Sequence, residues 1–303
     1  MSGMVSDRPE LCSVGFLQPW NRCWVDVIKQ IFVPSLPSRL VCTGVLKRPG
    51  PRPKVLLVGR IEYAYEDWEK IQSACDVFEY SSGSREDFLR EIKAGRFDDC
   101  IAICRSNQYT HLSGNLDAEV LNLLPKSIRY ICNIGSGVNS ICTESCKRRG
   151  ITVSNTPSVA ADGVAETVIF LIFGVLRRAN VPISTARAGE WQHECPTRIG
   201  MRGKVLGLIG SGETASAVAE RAVAFGMKIK YCCRGDKPPS NFLKGQEKCC
   251  FEELTQTSDI ISLHVLQTPE TERMLSTREF RMMKQDAIII NTARGGSLIT
   301  MLY

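Results

Sequence analysis

One stretch constrains the fold more than any other: Val205-Leu-Gly-Leu-Ile-Gly210-Ser211-Gly212-Glu213-Thr214-Ala215. An apolar, strand-like run feeds a Gly-x-Gly-x-x-Ala turn that opens a helix. In such a turn Gly210 permits the tight bend, Gly212 lets backbone approach a pyrophosphate, and Ala215 is small enough for close helix–sheet packing. A bound phosphate would sit on the free N–H groups at the positive end of the helix dipole. The strand–turn–helix context, and a second strand at Lys228–Cys233, set the motif apart from a bare glycine turn. Glu213 suits the helix dipole but competes with a phosphate unless it points to solvent.

The end of the second strand selects the coenzyme. An acidic residue about 20 residues beyond the glycines would hydrogen-bond the ribose 2′-hydroxyl of NAD. This chain has Cys233 followed by Arg234. No carboxylate repels a 2′-phosphate there, and a guanidinium offers a planar fork suited to one. NADP(H) is therefore expected over NAD(H), with Asp236 near enough to reach a ribose hydroxyl.

Around the motif, short apolar runs alternate with helical segments. Strands are expected at 54–59, 76–80, 100–104, 129–135 and 151–154, with helices at 64–74, 84–95 and 117–124. A long apolar helix at 162–179 and a polar loop region at 180–201 follow. The second alternation has strands at 204–209, 228–233, 259–265 and 287–291. Such alternation specifies an open, mostly parallel α/β sheet. Residues 1–53 differ: five prolines between Pro34 and Pro53, and the basic residues Lys47, Arg48, Arg52 and Lys54, read as a poorly ordered extension or linker.

Composition narrows the partners. Of 303 residues, 44% are hydrophobic and 23% charged, enough for two globular domains. The net charge of +6 is too small and too scattered for a nucleic-acid groove. The longest uncharged apolar run, Val168 to Leu176, is far short of a membrane span. The first residues have no apolar signal region, so a cytoplasmic protein is expected. Its 14 cysteines then read as reduced thiols, and without zinc-ligand spacing no metal site is expected.

Several stretches together resemble the D-isomer-specific 2-hydroxyacid dehydrogenases, with most likeness to the fungal-type glyoxylate and hydroxypyruvate reductases. They are Lys54-Val-Leu-Leu-Val-Gly59, Asn133-Ile-Gly-Ser-Gly137, Ser154-Asn-Thr-Pro157 with Val164-Ala-Glu166, and Ala224-Phe-Gly-Met-Lys228. The series continues with Ser258-Asp-Ile-Ile-Ser-Leu-His-Val265, Thr268-Pro-Glu-Thr271 and Asn291-Thr-Ala-Arg-Gly295, in family order. The resemblance implies two domains flanking a cleft. These would be a flavodoxin-like substrate domain over 54–159 and a Rossmann nucleotide-binding domain over 160–303. It also implies hydride transfer between NAD(P)(H) and a small 2-oxo or D-2-hydroxy acid, and a homodimer through the nucleotide domain.

Residue roles follow from the same resemblance. Arg294 would grip the substrate carboxylate and carbonyl, a bidentate guanidinium on a planar anion. The backbone of Gly135, Ser136 and Gly137 would receive the carboxylate. Gly210, Ser211, Gly212, Glu213 and Thr214 would meet the pyrophosphate, and Cys233 and Arg234 the adenosine end. Val265, Leu266, Thr271, Thr292 and Ala293 would line the nicotinamide ribose, with Leu266 replacing the family's usual Pro.

The family's general acid, a His held by a Glu, falls beyond the Arg motif and is not matched within this chain. Of the three histidines, His264 ends a strand and reads as structural, while His111 and His193 have no evident carboxylate partner. A positioned acid typically supplies 10²–10⁴-fold, so turnover is expected to be weak. The Rossmann sheet is expected to keep four strands and leave Ile288, Ile289 and Ile290 uncovered at its edge. A truncated gene product is one expectation. A coenzyme-sensing, corepressor-like binding module and a nonfunctional fragment are the rivals.

Overall fold

The structure is a computed structural model that describes residues 51–62, 65–156, 159–190, 199–235 and 239–298. The extension at 1–50, Asp236 and His193 lie outside these residues. The chain divides into two compact units between Thr156 and Pro157. The division falls three residues before the expected boundary.

In the first unit the strands are β1 (Lys54–Val58), β2 (Asp76–Tyr80), β3 (Cys100–Ser106), β4 (Tyr130–Ile134) and β5 (Thr152–Ser154). They form one fully parallel sheet in the order β2-β1-β3-β4-β5. That is the flavodoxin-like order. Helices α1 (Tyr65–Ala74), α2 (Arg85–Lys93), α3 (Thr110–Ser113), α4 (Ala118–Leu123) and α5 (Thr143–Arg148) connect them. The capping box at Ser84 is present: its side chain accepts from the Asp87 amide, and the Asp87 carboxylate accepts from the Ser84 amide. Asp117 caps α4 in the same way through the Val120 amide. Central strands bury both faces. Leu56, Val58, Ile103 and Ile131 pack with Phe88, Leu121 and Phe97 on one side. Val55, Leu57, Ala102, Cys104 and Cys132 pack with Trp68 and Ile71 on the other.

The second unit begins with α6 (Ala161–Leu176) and α7 (Asn180–Arg187). Its strands are β6 (Val205–Ile209), β7 (Lys228–Cys232), β8 (Glu247–Lys248), β9 (Ile260–Leu263) and β10 (Ile288–Asn291). Between them run α8 (Glu213–Ala224), α9 (Phe251–Thr257) and α10 (Thr277–Met282). The sheet is parallel, in the order β10-β9-β6-β7-β8. Counted from β6 this is 3-2-1-4-5, the Rossmann sequence of strands. The α8 face carrying Ala215, Val218, Ala219 and Ala222 is fully buried against α6 and the sheet, so small side chains set a close helix approach.

Three expectations change. The segment 180–187 is helical rather than loop, because Pro182 sits in the first turn, where its missing N–H costs nothing. The sheet has five strands, since the two-residue β8 pairs with β7 at Lys230 and Tyr231. The triple isoleucine of β10 is not laid bare. Ile290 is 4% exposed, and Ile288 and Ile289 are half-buried in the two cores flanking the sheet. No described helix is long and apolar enough to cross a membrane.

Candidate active site

All the strands of the second sheet run the same way, so their C-terminal ends open onto one edge. The sheet reverses its winding between β6 and β9, the place where an open α/β sheet binds its ligands. Four strand-end segments gather there.

The first is the glycine turn after β6. Gly210 has φ of +119°, and a Cβ there would lie 2.4 Å from the His264 carbonyl oxygen. Glycine is therefore required twice over, by conformation and by space. The Gly210 amide donates to the Cys232 carbonyl and the His264 amide to the Ile209 carbonyl, each at 2.8 Å. Gly212 is the N-cap of α8 with no side-chain cap, and nothing lies within 4 Å of where its Cβ would be. Its backbone is open to a phosphate, and the helix start behind it is a bare anion site. Glu213 is exposed and Thr214 half-buried. Ser240, which no motif marked, pins the turn: its amide reaches the Ser211 carbonyl at 3.2 Å and its hydroxyl the Gly212 carbonyl at 3.1 Å.

The second segment follows β7. Cys233 is half-buried and Arg234 exposed. The Arg234 guanidinium donates to Thr268 Oγ1 at 3.2 Å and contacts Glu270 at 3.4 Å. Thr268 Oγ1 and the Glu270 backbone, with Arg234, hold the Glu270 carboxyl below its ordinary range.

The third segment, after β9, carries His264, Val265, Leu266 and Thr271. The His264 ring meets Ser262 Oγ at 3.0 Å, and burial pushes its pKa from 6.5 down to about 4. Burial holds the ring in its neutral form at physiological pH. Leu266 is 68% exposed and Val265 half-buried. Thr271 is buried: its hydroxyl accepts from the Thr268 amide at 2.7 Å and donates to the Leu266 carbonyl at 2.6 Å. It clamps the loop that presents Leu266, a role the sequence did not show.

The fourth follows β10. The Asn291 side chain braces it at two points, Oδ1 accepting from the Ala293 amide at 3.0 Å and Nδ2 donating to the Arg294 carbonyl at 2.8 Å. Arg294 is half-buried, and its Nη1 donates to the Ala293 carbonyl at 2.8 Å. Thr292 Oγ1 is buried and has no partner among the described residues. A buried hydroxyl left unmade is costly, and a ribose hydroxyl would satisfy it. The open cradle at Gly212 and this orphan at Thr292 both fit a dinucleotide coenzyme.

In the first unit, the turn Gly135–Gly137 after β4 has its carbonyls tied down. Gly135, at φ of +127°, donates to Thr156 Oγ1 at 2.8 Å and accepts from the Thr156 amide at 3.2 Å. The Ser136 carbonyl accepts from Asn155 Nδ2 at 2.7 Å. The Gly137 carbonyl accepts from both Asn107 and Asn133 Nδ2, each at 3.1 Å. Among the described residues the Ser136 and Gly137 amides find no partner. A turn with its carbonyls bound and two amides free has donors to offer an anion. Asn107 had no sequence signal. Asn133, Asn155 and Thr156 fell within resemblance stretches without a role.

A family model, D-isomer specific 2-hydroxyacid dehydrogenase, NAD binding domain, matches residues 169–300. The chain is 42% identical over 244 residues to 4-methyl-2-oxopentanoate reductase A of Aspergillus oryzae, covering 80% of this chain and 74% of that protein. This chain belongs to the D-isomer-specific 2-hydroxyacid dehydrogenases. Glyoxylate reductase 1 of Saccharomyces cerevisiae is 30% identical over 252 residues, covering 80% of this chain and 72% of that one. The crystal structure of a glyoxylate reductase from Paecilomyes thermophila superposes with a TM-score of 0.79 at 39% identity, over 82% of this chain and 76% of that one. Holo D-mandelate dehydrogenase of Rhodotorula graminis gives a TM-score of 0.76 at 26% identity, over 83% and 76%. Within the dehydrogenase family the chain groups with the fungal-type glyoxylate and hydroxypyruvate reductases. Its activity class is NAD(P)-dependent oxidoreduction between 2-hydroxy and 2-oxo acids. Among the described residues no cluster of three or more His, Cys, Asp or Glu side chains could hold a metal ion.

Proposed function

We propose that this dehydrogenase works on a small 2-oxo acid of the glyoxylate or hydroxypyruvate type, with NADP(H) preferred over NAD(H). One observation carries the reading: a bare phosphate turn at Gly210–Gly212 and a braced Arg294 share the same edge of one sheet. A bound nicotinamide would supply the hydride. The backbone of Gly210–Thr214 would hold its pyrophosphate, Arg234 a 2′-phosphate, and Thr292 with Ala293, Val265 and Leu266 the nicotinamide ribose. Arg294 would fix the substrate's carboxylate and orient its carbonyl, and hydrogen-bonding to the carbonyl oxygen stabilises the charge that develops there. Within the first unit, the free Ser136 and Gly137 amides are donors suited to a carboxylate.

Burial keeps His264 in its neutral form, so it is not proposed as the general acid. Coenzyme binding is therefore the primary test and turnover the second. Calorimetric titration of the purified chain should show saturable NADPH binding, and glyoxylate-dependent loss of reduced coenzyme should be slow. Arg294→Ala should cut that rate by a further ~10²-fold while leaving NADPH affinity unchanged. No heat with NADPH from a folded sample, or a rate indifferent to Arg294, refutes the reading.

A homodimer through the nucleotide-binding unit is part of the proposal. Its support is the apolar stripe Phe170, Leu171 and Val175 on α6, continued by Ile183 on α7, all exposed. We also place the protein in a reducing, cytoplasmic setting, since every described cysteine is a free thiol.

A further inference from the structure

The proposed chemistry leaves one buried cation unused. Arg105 lies near the end of β3 and is 1% exposed. Its Nη2 donates to Thr110 Oγ1 at 2.9 Å, while Nε and Nη1 are buried with no partner among the described residues. Across the β3–β4 pairing it sits in register with Asn133, whose buried Oδ1 also lacks a partner. Burial pulls the guanidinium's pKa down to about 10, and no carboxylate among the described residues compensates the charge. Other cations here are compensated: Arg85 meets Asp117 and Glu119, and Lys230 meets Glu247 and Glu253. Isolating a positive charge from water without a counter-ion is strongly unfavourable. A fold that retains such a charge has a use for its field.

The surroundings give the direction of that use. Thr110 Oγ1, which accepts from Arg105, donates to the Asn107 carbonyl at 2.7 Å. Asn107 and Asn133 are the two side chains that hold the Gly137 carbonyl. The guanidinium is therefore linked to the Ser136–Gly137 turn by one hydrogen-bonded chain, through Thr110 and Asn107, and lies beside the turn's second brace, Asn133, across the strand pairing. We propose that Arg105 is a positioning residue for an anionic substrate: its uncompensated charge draws a carboxylate onto the free Ser136 and Gly137 amides. The proposal rests on the reading of that turn as the carboxylate receptor. It adds a cause for preferring acids over neutral carbonyl compounds. In a low-dielectric surrounding a single buried charge acts over a longer reach than an exposed one.

The test uses the full chain and glyoxylate as the probe, titrated calorimetrically, with NADPH affinity and thermal melting measured alongside. Arg105→Met removes the charge at similar length, and Arg105→Gln removes it while keeping a donor for Thr110. Both should weaken glyoxylate binding about tenfold or more, leave NADPH affinity within twofold, and leave the melting temperature unchanged or raised. Arg105→Lys should restore most of the affinity. A purely structural role predicts the opposite pairing, a lowered melting temperature with glyoxylate affinity intact, and that result overturns the inference. So does a loss of affinity that appears only in step with lost stability. If Arg105→Met yields no folded protein, Arg105→Gln decides on the same readings. If the unsubstituted chain binds NADPH but not glyoxylate, the carboxylate reading of the turn has failed and takes this inference with it. Equal glyoxylate affinity in the charged and uncharged variants sinks the inference alone.

Discussion

At the end of β7 the Arg234 side chain stands exposed, and its described polar neighbours are a 3.2 Å bond to Thr268 and a 3.4 Å contact with Glu270. Exposed ion pairs of this kind contribute little, so the guanidinium can exchange Glu270 for a phosphate dianion at small cost. Arg234→Ser should raise the dissociation constant for NADPH about tenfold and leave that for NADH nearly unchanged. Equal effects on the two coenzymes, measured by titration, would show that Arg234 does not read the 2′-phosphate. His264 makes a different demand. Its pKa is about 4 in the fold against 6.5 unfolded, so between these values the unfolded chain binds more protons. Stability is then full above pH 6.5 and falls as pH drops toward about 4, where the loss levels off. At about 1.4 kcal/mol per pH unit, this window sets an upper bound of roughly 3–4 kcal/mol on the ring's contribution. Denaturant unfolding of His264→Gln across this window should show a flatter pH slope than the parent chain. An unchanged slope would assign the acid sensitivity elsewhere.

At the scale of elements, what could be read from sequence was what repeats locally. The five strands of the first sheet, the capping box at Ser84, the long apolar α6 and the turn at Gly210 each declare themselves within about ten residues. The two-residue β8 does not: Glu247 and Lys248 are charged and exposed, and only pairing with β7 makes them a strand. Helix α7 was hidden by Pro182 and by having no buried residue to produce a periodic pattern. The braces at the site were hidden for another reason. Ser240, Thr156 and Asn107 act across 21 to 30 residues of chain on backbone carbonyls and amides that no side-chain pattern marks. The apolar stripe on α6 leads to a prediction at this scale. Phe170 is 72% exposed, so Phe170→Asp should cost the fold little yet convert the proposed dimer to a monomer in sedimentation. A parent chain that sediments as a monomer would remove the stripe's proposed partner.

The whole molecule consists of two parallel sheets, each wrapped by its own helices and filled by its own side chains. Two such units need not unfold together. Urea denaturation followed by two probes should give non-coincident transitions, and NADPH should move the transition of the unit containing β6 more than the other. A single transition that shifts uniformly would show the units to be one cooperative body. The fold class and order of elements were legible because strand–helix alternation leaves few topologies open. The preference for one 2-oxo acid was not, since it depends on which loops meet around the substrate.

The brace on Arg294 has a consequence for how such a protein can change over time. Asn291 belongs to the strand, and it alone ties both the Ala293 amide and the Arg294 carbonyl. The arginine's footing is thus inherited from the sheet, so a change at Asn291 would tilt the proposed substrate-binding side chain without touching it.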